Sequence, residues 1–127
     1  MKIKKSVQNI FRNSAICNHC KTEIVSRHPH DYVVCKCDTG GISVDGGLSY
    51  LKRSGRLYQE TSLTSANTFE EIREGFEWGS RGKSGKEPLH YIKLKDMEAG
   101  HIEAILKTQI LAKEIRGLFL EEFFRRK

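Results

Sequence analysis

Apolar residues are thinly spread over the first fifty positions of the chain and recur with clear periods only further on. Ile3, Val7, Ile10 and Phe11 are spaced for one face of a short amphipathic helix within residues 1–14, the alternative being an arm ordered by the packing of Phe11. Thr22–Ser26 and Asp31–Val34 are rich in β-formers and flank a turn at Arg27-His28-Pro29-His30; Ile42-Ser43-Val44 predicts a third strand after Gly40-Gly41. Asp45-Gly46-Gly47 predicts a tight turn, because two glycines permit positive φ or close approach of another group. Residues 57–66 are polar and predict one strand at Leu57-Tyr58 and a loop. Thr68-x-x-Glu71 is a capping-box signature ahead of Phe69, Ile72 and Phe76, predicting a helix that ends near Trp78-Gly79. After a Gly- and Lys-rich loop at 80–88, Leu89, Tyr91, Ile92 and Leu94 predict a strand leading to Asp96 as a helix cap. Ile102, Ile105, Leu106 and Ile110 mark one amphipathic helix. Ile115, Leu118, Phe119 and Phe123 mark a second, closed by Arg125-Arg126-Lys127, cations that suit a helix C-terminus.

The chemistry begins with the cysteines. Cys17 and Cys20 form a C-x2-C pair, Cys35 and Cys37 a C-x-C pair, and the fourteen residues between the pairs suffice for one β-hairpin. A tetrahedral zinc ion takes four ligands at about 2.3 Å, and two chelating turns joined by a hairpin supply them. The pattern predicts one structural Zn2+ held by Cys17, Cys20, Cys35 and Cys37, with residues 15–45 as a zinc ribbon whose folding is coupled to the metal. His28 or His30 replacing a cysteine, and unliganded or redox-active thiols, are the alternatives. His19 sits inside the first chelating turn with its ring expected to point away. Four thiolates leave no open position for water, which argues against a zinc hydrolase or deaminase; no H-E-x-x-H motif is present.

Charge changes the picture in one half only. The formal net charge is +6 over 127 residues, and residues 1–56 carry all of it: ten Lys/Arg against four acids, while residues 57–127 balance at twelve of each. Four thiolates on a zinc dication contribute −2, leaving that lobe nearer +4, enough to favour an anionic partner. No apolar run approaches a membrane span, and no apolar segment follows the basic Met1–Lys5 start, so a cytoplasmic protein without a secretory signal is expected.

Weaker candidates lie elsewhere. Gly79-Ser80-Arg81-Gly82-Lys83-Ser84 ends like a P-loop but has Glu77 where the first glycine belongs; Arg81, Lys83 and Lys86 with backbone N–H groups remain a candidate phosphate site without hydrolysis. Trp78 offers either a stacking surface for a base or a packing anchor. Tyr50, Lys52, Arg53 and Arg56 form a basic cluster with one aromatic, and the Asp45-Gly46-Gly47 turn adjoins it. His90 and His101 have no partner at a telling spacing, and no catalytic triad can be assembled.

Cys17–Cys20, Cys35–Cys37 and the run Val44-Asp45-Gly46-Gly47-Leu48-Ser49-Tyr50-Leu51-Lys52-Arg53 resemble a family of small zinc-ribbon-like accessory proteins of tailed bacteriophages. The C-terminal half, with Trp78-Gly79, Pro88-Leu89, Leu94–Met97 and His101–Leu106, is similar to a module of small phage proteins of unknown role. The likeness covers about residues 15–125, with Asp38 standing where the family typically has glycine. It implies a phage accessory protein in the infected host cell and no established activity.

The expected fold is α+β: a basic zinc-ribbon-like three-stranded β lobe at residues 1–56, then a mixed, mainly helical lobe at 57–127 ending in two amphipathic helices. The expected function is a non-catalytic zinc-binding phage accessory protein that binds a host protein or other macromolecule, or nucleic acid, in the service of counter-defence. The alternative is a protein that sequesters a phosphorylated small ligand such as a nucleotide immune signal. Its ligand set would be Asp45, Gly46, Gly47, Tyr50, Lys52, Arg53, Trp78, Arg81, Lys83 and Lys86, with homo-oligomerisation through the C-terminal helices. No enzyme activity is expected.

Overall fold

The computed structural model describes residues 9–37, 41–55, 57–82 and 84–126. The expectations placed on Ile3, Val7, Asp38, Gly40, Arg56, Lys83 and Lys127 lie outside them. The chain is α+β and divides into two compact units, residues 1–67 and 68–127.

Among the described residues, the first unit holds seven strands: β1 (Ile10–Cys17), β2 (Glu23–Ser26), β3 (Val33–Val34), β4 (Ser43–Asp45), β5 (Lys52–Ser54), β6 (Tyr58–Glu60) and β7 (Leu63–Thr64). Ile10 and Phe11, expected on a helix, open its longest strand instead. Phe11, Asn13, Ala15 and Cys17 are buried at a period of two, the period of a pleated strand. Three of those four side chains are polar or small, so hydropathy alone did not reveal the alternation.

β1 is the hub. It pairs antiparallel with β2, β6 and β7, while β3, β4 and β5 form a separate antiparallel sheet. The three-stranded lobe expected from segments 22–26, 31–34 and 42–44 is thus divided between two sheets. The turn at 27–30 does form, closed by Arg27 N–H on Asp31 Oδ2 (2.7 Å) and Ser26 Oγ–H on the Asp31 carbonyl (2.7 Å). Its flanking strands nevertheless choose different partners, because β1 offers β2 a four-residue ladder and β3 pairs with β4. Pairing of β6 and β7 with β1 also carries the first unit past the expected boundary at 56/57, to Asn67.

The second unit starts with α1 (Phe69–Gly75), whose capping box is complete: Glu71 N–H donates to Thr68 Oγ1 and Thr68 N–H to Glu71 Oε1. The helix stops at Phe76, earlier than expected, and the chain turns extended into β8 (Glu77–Ser80), which pairs with β9 (His90–Lys93). A 3-10 turn at Leu94–Asp96 follows, so the cap of α2 (Ala99–Thr108) is Glu98 and not Asp96. Ile102 and Ile105 are buried on α2 as their spacing requires. Ile110 lies beyond the helix end and is fully exposed.

On α3 (Lys113–Arg125), Leu118 and Phe119 are buried together with a carboxylate, Glu122. Arg73 holds Glu122 through Nε and Nη2, both at 2.7 Å, and Arg126 holds it from Nε at 2.8 Å. Arg73 keeps the Glu122 carboxyl below its ordinary pKa against the opposing effect of burial. Arg126 also donates to the carbonyls of Leu94, Lys95 and Met97, which ties the end of α3 to the 3-10 turn.

Candidate metal centre

Cys17 ends β1, and the turn after it closes through Lys21 N–H on the Cys17 carbonyl (2.8 Å) and Cys17 N–H on the Thr22 carbonyl (3.0 Å). Lys21 takes φ of 60°, a left-handed conformation between the turn and Thr22, whose carbonyl accepts from Cys17 N–H. The second turn follows β3. Cys35 N–H donates to the Ile42 carbonyl (3.1 Å), and Ile42 N–H donates to Cys35 Sγ (3.3 Å). Gly41 is required there, since a Cβ would stand 2.7 Å from Cys35 Sγ.

The two turns bring all four sulfurs within 4.8 Å of one another. Cys17 Sγ and Cys37 Sγ are 3.6 Å apart, far beyond the S–S bond of about 2.0 Å and close to the edge of about 3.8 Å of a tetrahedron with 2.3 Å metal–sulfur bonds. The set can therefore hold a metal ion. His28 and His30 are not in the cluster; His30 Nδ1 is 3.1 Å from the Tyr50 hydroxyl, and His28 lies 3.9 Å from Asp31.

The sulfurs are unequal. Hydrogen bonds from Thr22 pull the Cys20 thiol down to about 6, and backbone donors lower Cys35, while burial and the adjoining thiols push Cys37 up to about 12. Four sulfurs this close cannot all carry charge unaided, and a dication in their midst stabilises every thiolate. Cys17 and Cys35 belong to the hydrophobic core of the first unit, with Ala15, Ile24, Ile42 and Val44, and Cys20 and Cys37 pack at its margin. Two of the four sulfurs thus lie within that core and two at its edge.

The Asp45–Arg53 segment has a structural task. Asn13 is fully buried, and the two hydrogens of its Nδ2 are shared among the carbonyls of Asp45 (3.0 Å), Gly47 (2.9 Å) and Tyr50 (2.9 Å). Gly46 and Gly47 have φ of 111° and 53°, and a Cβ on Gly47 would lie 2.3 Å from the His28 backbone. Arg53 forks onto both Glu60 oxygens (2.9 and 2.6 Å) and donates to Asn13 Oδ1 (2.8 Å) and Ser62 Oγ (2.8 Å). Its guanidinium is thus committed inside the unit and is not offered to a ligand. Lys52 is exposed beside it, and Asp45 Oδ1 is buried without a hydrogen-bond partner among the described residues.

The remaining ligand candidates lie in the second unit. Trp78 is on a strand, with its ring edge-on to Phe119 at 5.2 Å, which makes it a packing anchor. The Gly/Lys loop joins β8 to β9, and its amides are spent on the loop itself: Gly82 N–H on Ser80 Oγ, Gly85 N–H on the Gly82 carbonyl, Lys86 N–H on Ser84 Oγ and Glu87 N–H on the Arg81 carbonyl. The Glu87 carboxylate rests against Gly82, where a Cβ would meet its Oε2 at 2.3 Å. Among the described residues of the loop, a phosphate would find these four amides already engaged and a carboxylate close by. Arg81 and Lys86 remain exposed at the tip.

Sequence reasoning overlooked Asn13, Glu60, Thr22 and the outward position of Tyr91. Only Asn13 left a signal, in the two-residue alternation of Phe11, Asn13, Ala15 and Cys17.

Residues 9–55 match a family described as a domain of unknown function (DUF7695), which spans β1 to β5 and includes all four cysteines. No curated protein and no solved structure matches the chain.

Proposed function

We propose that this protein is a non-catalytic, zinc-stapled binding module whose partner is nucleic acid. The convergence of four sulfurs within 4.8 Å supports the first half of the reading. Sulfur ligation suits zinc, and a closed tetrathiolate set has no position left to activate water or polarise a substrate.

The distribution of charge supports the second half. In the first unit, Glu23 is taken by Arg12 (3.1 Å) and Thr61 (2.8 Å), and Glu60 by Arg53. Lys21, Lys36 and Lys52 are exposed. Glu23 and Glu60 are engaged internally while these three lysines face water, so the net positive charge of residues 1–56, nearer +4 with zinc bound, favours an anion. The sequence resemblance adds an accessory role in phage infection, directed at host defence. Sequestration of a phosphorylated ligand is the less favoured reading, because four described amides of the loop assigned to it are engaged within the loop and the Glu87 carboxylate stands beside them.

Two measurements test the proposal on purified full-length protein. Metal analysis is expected to return one zinc per chain. Retention on duplex DNA is expected to fall steeply with salt; retention that ignores salt, or metal-dependent turnover that survives loss of the cysteines, overturns the reading. Deleting the gene from a phage that carries it should impair growth only on hosts with an intact defence system, and unchanged growth on all hosts removes the counter-defence role.

A further inference from the structure

The sheet of β3, β4 and β5 turns one face to the core of the first unit and the other to water. Along β3 and into the second chelating turn, Val33, Cys35 and Cys37 pack in or against the core, while Tyr32, Val34 and Lys36, which alternate with them, are exposed. On β4, Val44 is in the core; its partner in register on β5, Arg53, is committed to Asn13 and Glu60. The other side of these strands therefore carries Ser43, Lys52 and Ser54, with Val34 opposite Ser43 and Ser43 opposite Ser54. The hydrogen bond between Ser43 Oγ and Ser54 Oγ (2.6 Å) places both side chains on that outer face.

Three features of the face point to a ligand. Tyr32 is 64% exposed, and among the described residues neither its ring nor its hydroxyl has a partner. Lys36 and Lys52 are exposed, and among the described residues no carboxylate pairs with either ammonium. Neighbouring strands lie about 4.8 Å apart, so β3 and β5 carry Tyr32 and Lys52 on lines about 10 Å apart. Between them the small side chains of Ser43 and Ser54 leave room beside the tyrosine ring. One acid opposes an anion here: Asp45 stands opposite Lys52 in register, with its Oδ1 buried.

An unpaired strand offers what this face matches: phosphates for lysines and an open base for an aromatic ring to stack on. A duplex keeps its base faces inside the stack and presents only phosphates and groove edges, so it is held more weakly here. The central hydroxyls are bonded to each other and Val34 beside them is apolar, which favours DNA over a strand whose 2′-hydroxyls would have to be desolvated. We propose that the outer face of the β3–β4–β5 sheet binds single-stranded DNA, with a base stacked on Tyr32 and phosphates on Lys36 and Lys52. The inference rests on the nucleic-acid reading above and names the surface and the form of nucleic acid.

The test uses full-length, zinc-loaded protein and a fluorescent oligothymidylate strand, read by anisotropy across a salt series, with duplex DNA and oligouridylate as competitors. Tyr32→Ala is expected to weaken binding about tenfold, and Tyr32→Phe to preserve it, because stacking needs the ring and not the hydroxyl. Lys36→Gln with Lys52→Gln is expected to reduce the slope of log K against log salt by about 1.4, at about 0.7 per phosphate of a single strand. Zinc content is measured on each variant; should Lys36→Gln lose the metal, Lys52→Gln alone is expected to reduce the slope by about 0.7. Lys107→Gln on α2 should leave binding unchanged. Wild-type protein that binds neither single strand nor duplex removes the underlying reading. Wild-type binding that Tyr32→Ala and the lysine variants leave intact, or that is tighter to duplex or to oligouridylate, overturns this inference alone.

Discussion

Arg53 Nη1 donates to Asn13 Oδ1 at 2.8 Å, joining two residues forty positions apart in the chain. Through that bond β1 grips the Asp45–Tyr50 turn on one side and the Glu60 carboxylate on the other. Asn13→Ala would remove the two amide hydrogens shared by three carbonyls and leave one guanidinium donor of Arg53 without its acceptor. The expected cost is roughly 3 kcal/mol, and Asn13→Asp should not rescue it, because it replaces the donor with a charge. Urea unfolding of the zinc-loaded protein measures it; a loss under 1 kcal/mol on this scale contradicts the assignment.

Removing the metal should unfold one unit and spare the other. The core of the first unit contains cysteine sulfur, while that of the second is built from Phe76, Leu94, Ile102, Ile105 and Phe119. A strong chelator, or Cys35→Ala, is expected to collapse the amide spectrum of residues 9–67 and leave the emission of the single tryptophan, Trp78, native-like. A dispersed spectrum throughout, with chelator present, would remove the metal from its structural role.

Two glycines with similar backbone signs should respond very differently. A Cβ at Gly46 would stand 1.9 Å from the Tyr50 carbonyl, whereas at Gly85 it would meet nothing within 4 Å. Gly85→Ala is expected to cost only the left-handed strain of about 1 kcal/mol. Gly46→Ala should prevent the turn from closing and cut the yield of folded, zinc-loaded protein. Equal thermal midpoints for the two variants would show that the turn can shift.

The second unit carries an acid-sensitive lock. Arg73 lowers the pKa of Glu122 in the folded state, below the unfolded value of about 4.3. The unfolded chain therefore binds the proton more readily. The stabilisation is complete above that value and is lost as pH falls through the lower folded-state pKa. Glu122→Gln should cost roughly 2 kcal/mol at neutral pH, since two guanidiniums lose their carboxylate. It should also flatten the decline of stability with acid, followed by Trp78 emission under denaturant. A variant with the wild-type acid profile would mean that another group sets it.

Legibility in the sequence tracked the range of the interaction. The capping box at Thr68 and Glu71, the burial of Ile102 and Ile105 and the chelating turns at 17–20 and 35–37 depend on residues a few positions apart, and chain geometry alone brings them together. Local spacing was thus enough to pick out the candidate chelators and to place α1, α2 and α3 to within a few residues, whereas the helix read through Ile10 and Phe11 proved to be β1.

Pairing belonged to the tertiary structure. β1 escaped notice because its inward positions are Asn13, Ala15 and Cys17, residues whose burial makes sense only once β2, β6 and the Asp45–Tyr50 turn surround them. Arg53 looked like a free cation until Glu60 and Asn13 claimed it, and Trp78 looked like a helix end until Phe119 fixed its face. A side chain's spare hydrogen-bonding capacity, and the face that it shows to water, are set by neighbours distant in sequence; no local pattern encodes them.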